Sequence, residues 1–131
     1  MAIRFVEIHP SADPEALNTE WFVLENNGQR PFNTRNCTFG VGKPGTKKCR
    51  AIGTIDPGFV LNPGEKIRMV TGHPGRKSHG EAPEDGIKNY PLLQGEPILR
   101  GVKTVVQLAL RGLEVTRAVY DPEAPGGVAA E

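Results

Sequence analysis

The sequence predicts an all-β fold, an antiparallel β-sandwich of about seven or more short strands. Three observations carry this. Apolar residues recur with the two-residue period of a strand in several short runs, most clearly EWFVLEN, KIRMVTG, TVVQLALR and EVTRAVY. Gly and Pro are abundant, 16 and 12 of 131 residues, and gather between those runs as turns require. Helix periodicity is confined to PEALNT near Pro14, enough for one turn. At 14.2 kDa the chain has the size of one domain, without internal repeats or a dividing linker.

Ile3, Phe5 and Ile8 open the first strand, IRFVEIH, and Pro10 with the turn-rich PSADPEALNT stops it. In EWFVLEN, Trp21 and Val23 point to one face and Phe22 and Leu24 to the other. Trp21 is expected at the buried centre of the sandwich; were Phe22 inward instead, Trp21 would mark an interaction face. Asn26-Asn27-Gly28 closes this strand with residues that tolerate positive φ. Cys37 to Val41 reads as a short third strand, small-sided on one face. The run GKPGTKKCR, Gly42 to Arg50, has no apolar side chain except Cys49 and is expected as an exposed loop.

Ile52, Ile55, Phe59, Val60 and Leu61 return to the core around Pro57-Gly58. After the turn Asn62-Pro63-Gly64, Ile67, Met69 and Thr71 alternate with Arg68 and Val70 in a half-buried strand. Residues 72–91 hold four Gly and three Pro with few apolar anchors, which predicts a long binding or mobile loop. TVVQLALR and EVTRAVY then form a hairpin turned at Arg111-Gly112-Leu113. From Asp121 onward DPEAPGGVAAE lacks a core-forming pattern. The domain is therefore assigned to residues 1–121 and a flexible tail to residues 122–131.

The order of these segments resembles the lamin-tail domain family, an immunoglobulin-like sandwich. Glu7-Ile8 is similar to the close of the family's first strand, and Glu20 to Asn26 to its Glu-aromatic-hydrophobic strand. PFNTRNCTFG stands where a second aromatic strand follows. Phe59-Val60-Leu61-Asn62-Pro63-Gly64-Glu65 looks like the family's Leu-x-Pro-Gly-Glu turn, and the C-terminal hairpin completes the pattern over Ile3 to Asp121. The chain departs from it at Asn36-Cys37, where Gly-Trp is frequent, and at Glu96-Pro97. The resemblance implies an immunoglobulin-like fold and a binding or targeting module that is not itself catalytic.

The formal net charge of +1 conceals an uneven distribution: −4 over residues 1–29, +8 over 30–79 and −3 over 80–131. Two loops in the basic span, KPGTKKCR and HPGRKSH, combine Gly, Pro and cations without bulky apolar residues. Such loops suit a phosphate-rich or acidic surface, met through charge and backbone N–H groups. The candidate binding residues are Lys43, Lys47, Lys48, Arg50, Arg76 and Lys77. The alternative is that these loops face the acidic segments across the sandwich or only solvate the surface. Phe32 and Phe39 are the only aromatic residues in the basic span before Phe59, so nucleic acid would be held by its backbone without sequence specificity.

Catalytic chemistry finds no clear constellation. Ser11 and Ser78 lack a nucleophile-elbow context, and Cys37 with His9, His73 or His79 is a pairing any small protein offers. Cys37 is expected as a small core residue, and Glu84-Asp85 as solubilising loop carboxylates. Cys37, Cys49, His73 and His79 have the composition of a zinc site. Their spacing argues against one, since eleven residues separate the cysteines and five the histidines. The two cysteines would close a 13-residue loop if oxidised, but without an export signal they are expected reduced. Asn36-Cys37-Thr38 fits a glycosylation acceptor only on a secretory route.

No window approaches 18 apolar residues, and Arg4, Glu7 and His9 stand where a secretory segment needs an apolar stretch. A soluble, cytoplasmic protein is expected. The expected function is a non-enzymatic binding or scaffolding module that docks on an anionic partner: nucleic acid backbone, an anionic surface or an acidic protein. No cofactor or metal is expected. The alternative is an assembly module whose exposed strand edge pairs with another protein or a second copy. A metal-dependent hydrolase is a remote third reading, because no ligands visibly cluster.

Overall fold

The computed structural model describes residues 2–129. Its strands are β1 (Ile3–His9), β2 (Trp21–Asn26), β3 (Phe32–Asn33), β4 (Cys37–Gly42), β5 (Arg50–Thr54), β6 (Val60–Leu61), β7 (Lys66–Val70), β8 (Lys88–Pro91), β9 (Val105–Leu110), β10 (Leu113–Tyr120) and β11 (Val128–Ala129). Helical structure is limited to 3-10 turns at Leu17–Thr19, Lys77–His79 and Pro125–Gly127. The strands form a sandwich of a four-stranded sheet, β1-β2-β7-β8, and a five-stranded sheet, β11-β10-β9-β4-β5, with β3 and β6 as a two-stranded ribbon.

Two turns follow directly from their residues. Arg111 and Gly112 both have positive φ, 53° and 79°, between paired Leu110 and Leu113. That is the conformation a two-residue hairpin requires. At Asn62-Pro63-Gly64-Glu65, Pro63 fixes φ, Gly64 supplies φ +84°, and Glu65 N–H closes on the Asn62 carbonyl at 2.9 Å.

The core lies between the two larger sheets. Phe22, Leu24, Ile67 and Met69 from one meet Phe39, Val106 and Leu108 from the other. The Phe22 and Phe39 rings sit 5.0 Å apart at the centre, and Phe5 meets Phe39 edge-on at 6.0 Å. The inward phase of β2 continues past its apolar residues at both ends. Buried Glu20 accepts from Thr71 Oγ1 and the Ile98 N–H, both at 2.7 Å, and so ties β2 to the segment crossing between the sheets before β9. Buried Asn26 plugs the other end, donating to the Arg30 and Leu61 carbonyls while its Oδ1 accepts the Gly28 N–H. Polar side chains at these ends are satisfied by loop backbone that water would otherwise solvate.

The structure corrects four expectations. Phe22, not Trp21, occupies the centre. Trp21 shares its phase with Glu25 and lies on the outer face of the four-stranded sheet, where its Nε1 donates to Glu7 and its ring stacks on His9 at 4.0 Å. β7 is buried on both faces, because Arg68 and Val70 are covered on the outer side.

Residues 72–91, expected as one long loop, include the 3-10 turn Lys77–His79 and the strand β8. Asn18 Nδ2 donates to the His73 and Gly80 carbonyls, and Arg68 to the Pro83 carbonyl, before the chain enters β8. β8 pairs with β7 in parallel, the exception in a sheet otherwise antiparallel. The long connection permits it, since parallel neighbours need a crossover of about a dozen residues or more.

Finally, residues 122–129 are not a loose tail. β11 pairs with Val119 and Tyr120, and Gly126 and Gly127 press against the carbonyls of Val6 and Ile8. The glycines supply positive φ, 65° and 76°, where a Cβ would collide with β1. Ala130 and Glu131 of the expected tail lie outside the described residues.

Candidate functional site

β4 and β5 form a hairpin whose loop, residues 43–49, carries three of the six candidate cations, and Arg50 opens β5 beside them. Arg117 on β10 holds this loop over the outer face of the five-stranded sheet, donating to the Thr46 carbonyl at 2.9 Å and the Lys47 carbonyl at 2.6 Å. Gly40 and Gly42 make room, since a Cβ on either would press on Cys49. Arg117 is itself bound by Glu114 at 2.6 Å, and that bond holds the Glu114 carboxyl below its ordinary range.

The candidate cations divide among three places. Lys43 and Arg50 line a cleft of about 560 Å³ between the end of the β4–β5 hairpin and the crossing segment. Val41, Ile52 and Ile98 give it an apolar lining, and Arg100 adds a third cation, paired with exposed Glu96 at 3.2 Å. Lys47 and Lys48 line a shallower hollow of about 340 Å³ with Gln107 and Ala109 on the outer sheet face. Arg76 and Lys77 lie around the 3-10 turn that Asn18 fastens to Leu17–Thr19.

All six are exposed, and among the described residues none of the six is paired with a carboxylate. Of the other four cations of the basic span, Arg30 and Arg35 are likewise exposed, whereas Arg68 and Lys66 differ. Arg68 is buried and donates to Asp85, Asn89 and the Pro83 carbonyl, and Lys66 faces Glu25 at 3.8 Å. Among the described residues, no carboxylate of the acidic N-terminal third forms an ion pair with the six. Arg100 escapes sequence reasoning because it sits in the acidic last third; only Pro91 and Pro97, marking an irregular crossing, hint that it leaves the sheets.

The sequence matches no protein-family model and no curated protein.

His73 and His79 come together, ring centroids 5.5 Å apart, and His79 Nδ1 accepts the His73 N–H at 3.0 Å. Burial, then the nearby charges of Arg76 and His73, push the His79 imidazole below its ordinary value. No cysteine joins them. Cys37 is a free thiol in the core, raised by burial, whereas Cys49 lies over Gly40 and Gly42 on the opposite face of β4. A disulfide between them would need Cα atoms within about 7 Å. Among the described residues no three His, Cys, Asp or Glu side chains converge as a metal site, and no helix is long and apolar enough to cross a membrane.

The strand edges are protected. Residues 126–129 cover β1, β8 is four residues long and ends in Pro91, and β5 is bulged at Ile52, whose carbonyl accepts from Gln94 Nε2 at 3.2 Å. Short, bulged and Pro-bearing edges resist strand addition.

Proposed function

We propose that this protein is a non-enzymatic binding module of immunoglobulin-like, lamin-tail-like type that docks on an anionic partner through its basic loops. One observation carries the reading: Lys43, Lys47, Lys48, Arg50, Arg76 and Lys77 are all exposed without a carboxylate partner. Uncompensated cations on Gly- and Pro-shaped loops attract an anion at little desolvation cost and raise its association rate. The lamin-tail likeness draws support from the β2 strand and the Pro63-Gly64 turn into β7. The protected edges favour docking over strand-edge assembly.

The test is binding to heparin at rising salt, comparing the wild type with a variant reversed to Glu at Lys47, Lys48, Arg76 and Lys77. The expected result is a steep loss of wild-type affinity with salt and a loss of at least about tenfold in the variant. Binding that ignores both salt and charge reversal rejects the reading.

A further inference from the structure

We infer that the cleft between the β4–β5 hairpin and the crossing segment takes a short acidic peptide segment, one apolar side chain flanked by carboxylates. This rests on the anionic-docking reading and names the partner at one of its sites. Two chemistries meet in the cleft. Its floor is apolar, with Val41 and Ile98 from the core margin and half-buried Ile52 from β5. Lys43 and Arg50, neither paired with a carboxylate, stand beside that floor; Arg100 lines it as well, paired at 3.2 Å with Glu96, the one lining carboxylate. A volume of about 560 Å³ falls within the roughly 300–1,000 Å³ of specific ligand pockets. An apolar side chain would cover the floor while adjoining carboxylates meet the cations, Arg50 offering two parallel N–H donors.

Other anions fit less well. No aromatic residue lines the cleft, so a nucleic-acid base has no ring on which to stack. A free phosphate would leave the apolar floor wet. A lipid surface would not enter a concavity. The peptide is read by side chains and not by strand addition, because the Ile52 carbonyl at the β5 edge already accepts from Gln94.

Gly95 supplies a test that spares the fold. It lines the cleft, and a Cβ there would meet nothing within 4 Å, so Gly95→Trp places a bulky ring at the cleft with no clash at its Cβ, and the melting curve checks that the fold is kept. Gly75, equally open but on the 72–79 loop, serves as the control through Gly75→Trp. The probes are a fluorescein-labelled Asp-Glu-Phe-Asp-Glu peptide, the same peptide with Ser for Phe, and an oligothymidylate of matched charge, measured by anisotropy with melting curves for each variant. The expected result is peptide binding weakened about tenfold or more by the Ser exchange. Gly95→Trp should abolish it and Gly75→Trp leave it intact. Equal binding of oligothymidylate, indifference to the Ser exchange, or full binding by a folded Gly95→Trp variant overturns the peptide assignment. In each of those cases, heparin binding lost on charge reversal would still uphold the docking reading; absence of both kinds of binding sinks the two together.

Discussion

Arg68 donates to the Asp85 carboxylate at 2.6 Å, yet the arginine side chain is 3% exposed and the aspartate 48%. The pair is therefore unequal. Removing Arg68 leaves a carboxylate that water can reach, whereas removing Asp85 leaves a sealed guanidinium beside the Trp21 ring with only neutral acceptors, Pro83 and Asn89. An unpaired buried charge costs more than a lost pair replaced by apolar bulk. Asp85→Ala should lower the melting temperature more than Arg68→Met. The reverse order in thermal denaturation would show that the covering loop does not depend on this charge.

Two carboxylates respond to pH in opposite senses. Burial raises Glu20 above its ordinary 4.5 despite bonds from Thr71, Ile98 and Leu99, so its folded form holds a proton more readily than its unfolded form. Its ionisation penalises the fold above the raised value, and the penalty fades as pH falls toward 4.5. Asp85 is lowered below 3.8, mainly by the Arg68 hydrogen bond, so its contribution stands above 3.8 and is lost as pH falls through the folded value. The stability difference between wild type and Glu20→Gln, from urea unfolding, should move in favour of the wild type as pH drops from neutral to 4.5. A flat difference would mean that Glu20 titrates alike in both states.

β2 shows how much of this was legible. Its alternation separated Trp21 and Val23 from Phe22 and Leu24, and placed the strand correctly. Which face turns inward is not readable from the flanking carboxylates: Glu20 shares the phase of Phe22 and Glu25 that of Trp21, and the inward Glu20 is held by Thr71, Ile98 and Leu99. Side-chain size does not decide it either. We expect Phe22→Ala to cost about 3–5 kcal/mol in chemical denaturation. Trp21→Ala should cost less, about 1–2 kcal/mol, since it loses a stack and a cation–π contact at a partly wet surface. Equal losses would contradict the assignment of the core centre.

The candidate site was legible as charge but not as place. The six cations stand out in a run of +8, but nothing local tells that Arg68 turns under a covering loop while Lys43 and Arg50 share a cleft with Arg100. Those placements depend on two segments fixed by long-range bonds, the covering loop by Arg68 to Asp85 and the crossing segment by Ile98 to Glu20. Non-local pairing of this kind leaves no periodicity to read.

The C-terminal segment was illegible for a different reason: Gly126 and Gly127 read as flexibility, yet their missing side chains are what allow the backbone to lie on β1. Deleting residues 122–131 should remove β11, uncover Tyr120 and the carbonyls of Val6 and Ile8, and leave the β1 edge open. An open edge invites pairing with another copy. We expect a melting temperature lower by about 5–10 °C and concentration-dependent association in sedimentation velocity. Gly127→Ala should act in the same direction, because its Cβ would strike the Ile8 carbonyl at φ +76°. A truncated chain that melts like the wild type and stays monomeric would show that β1 needs no cover, and that Gly126 and Gly127 only rest on it.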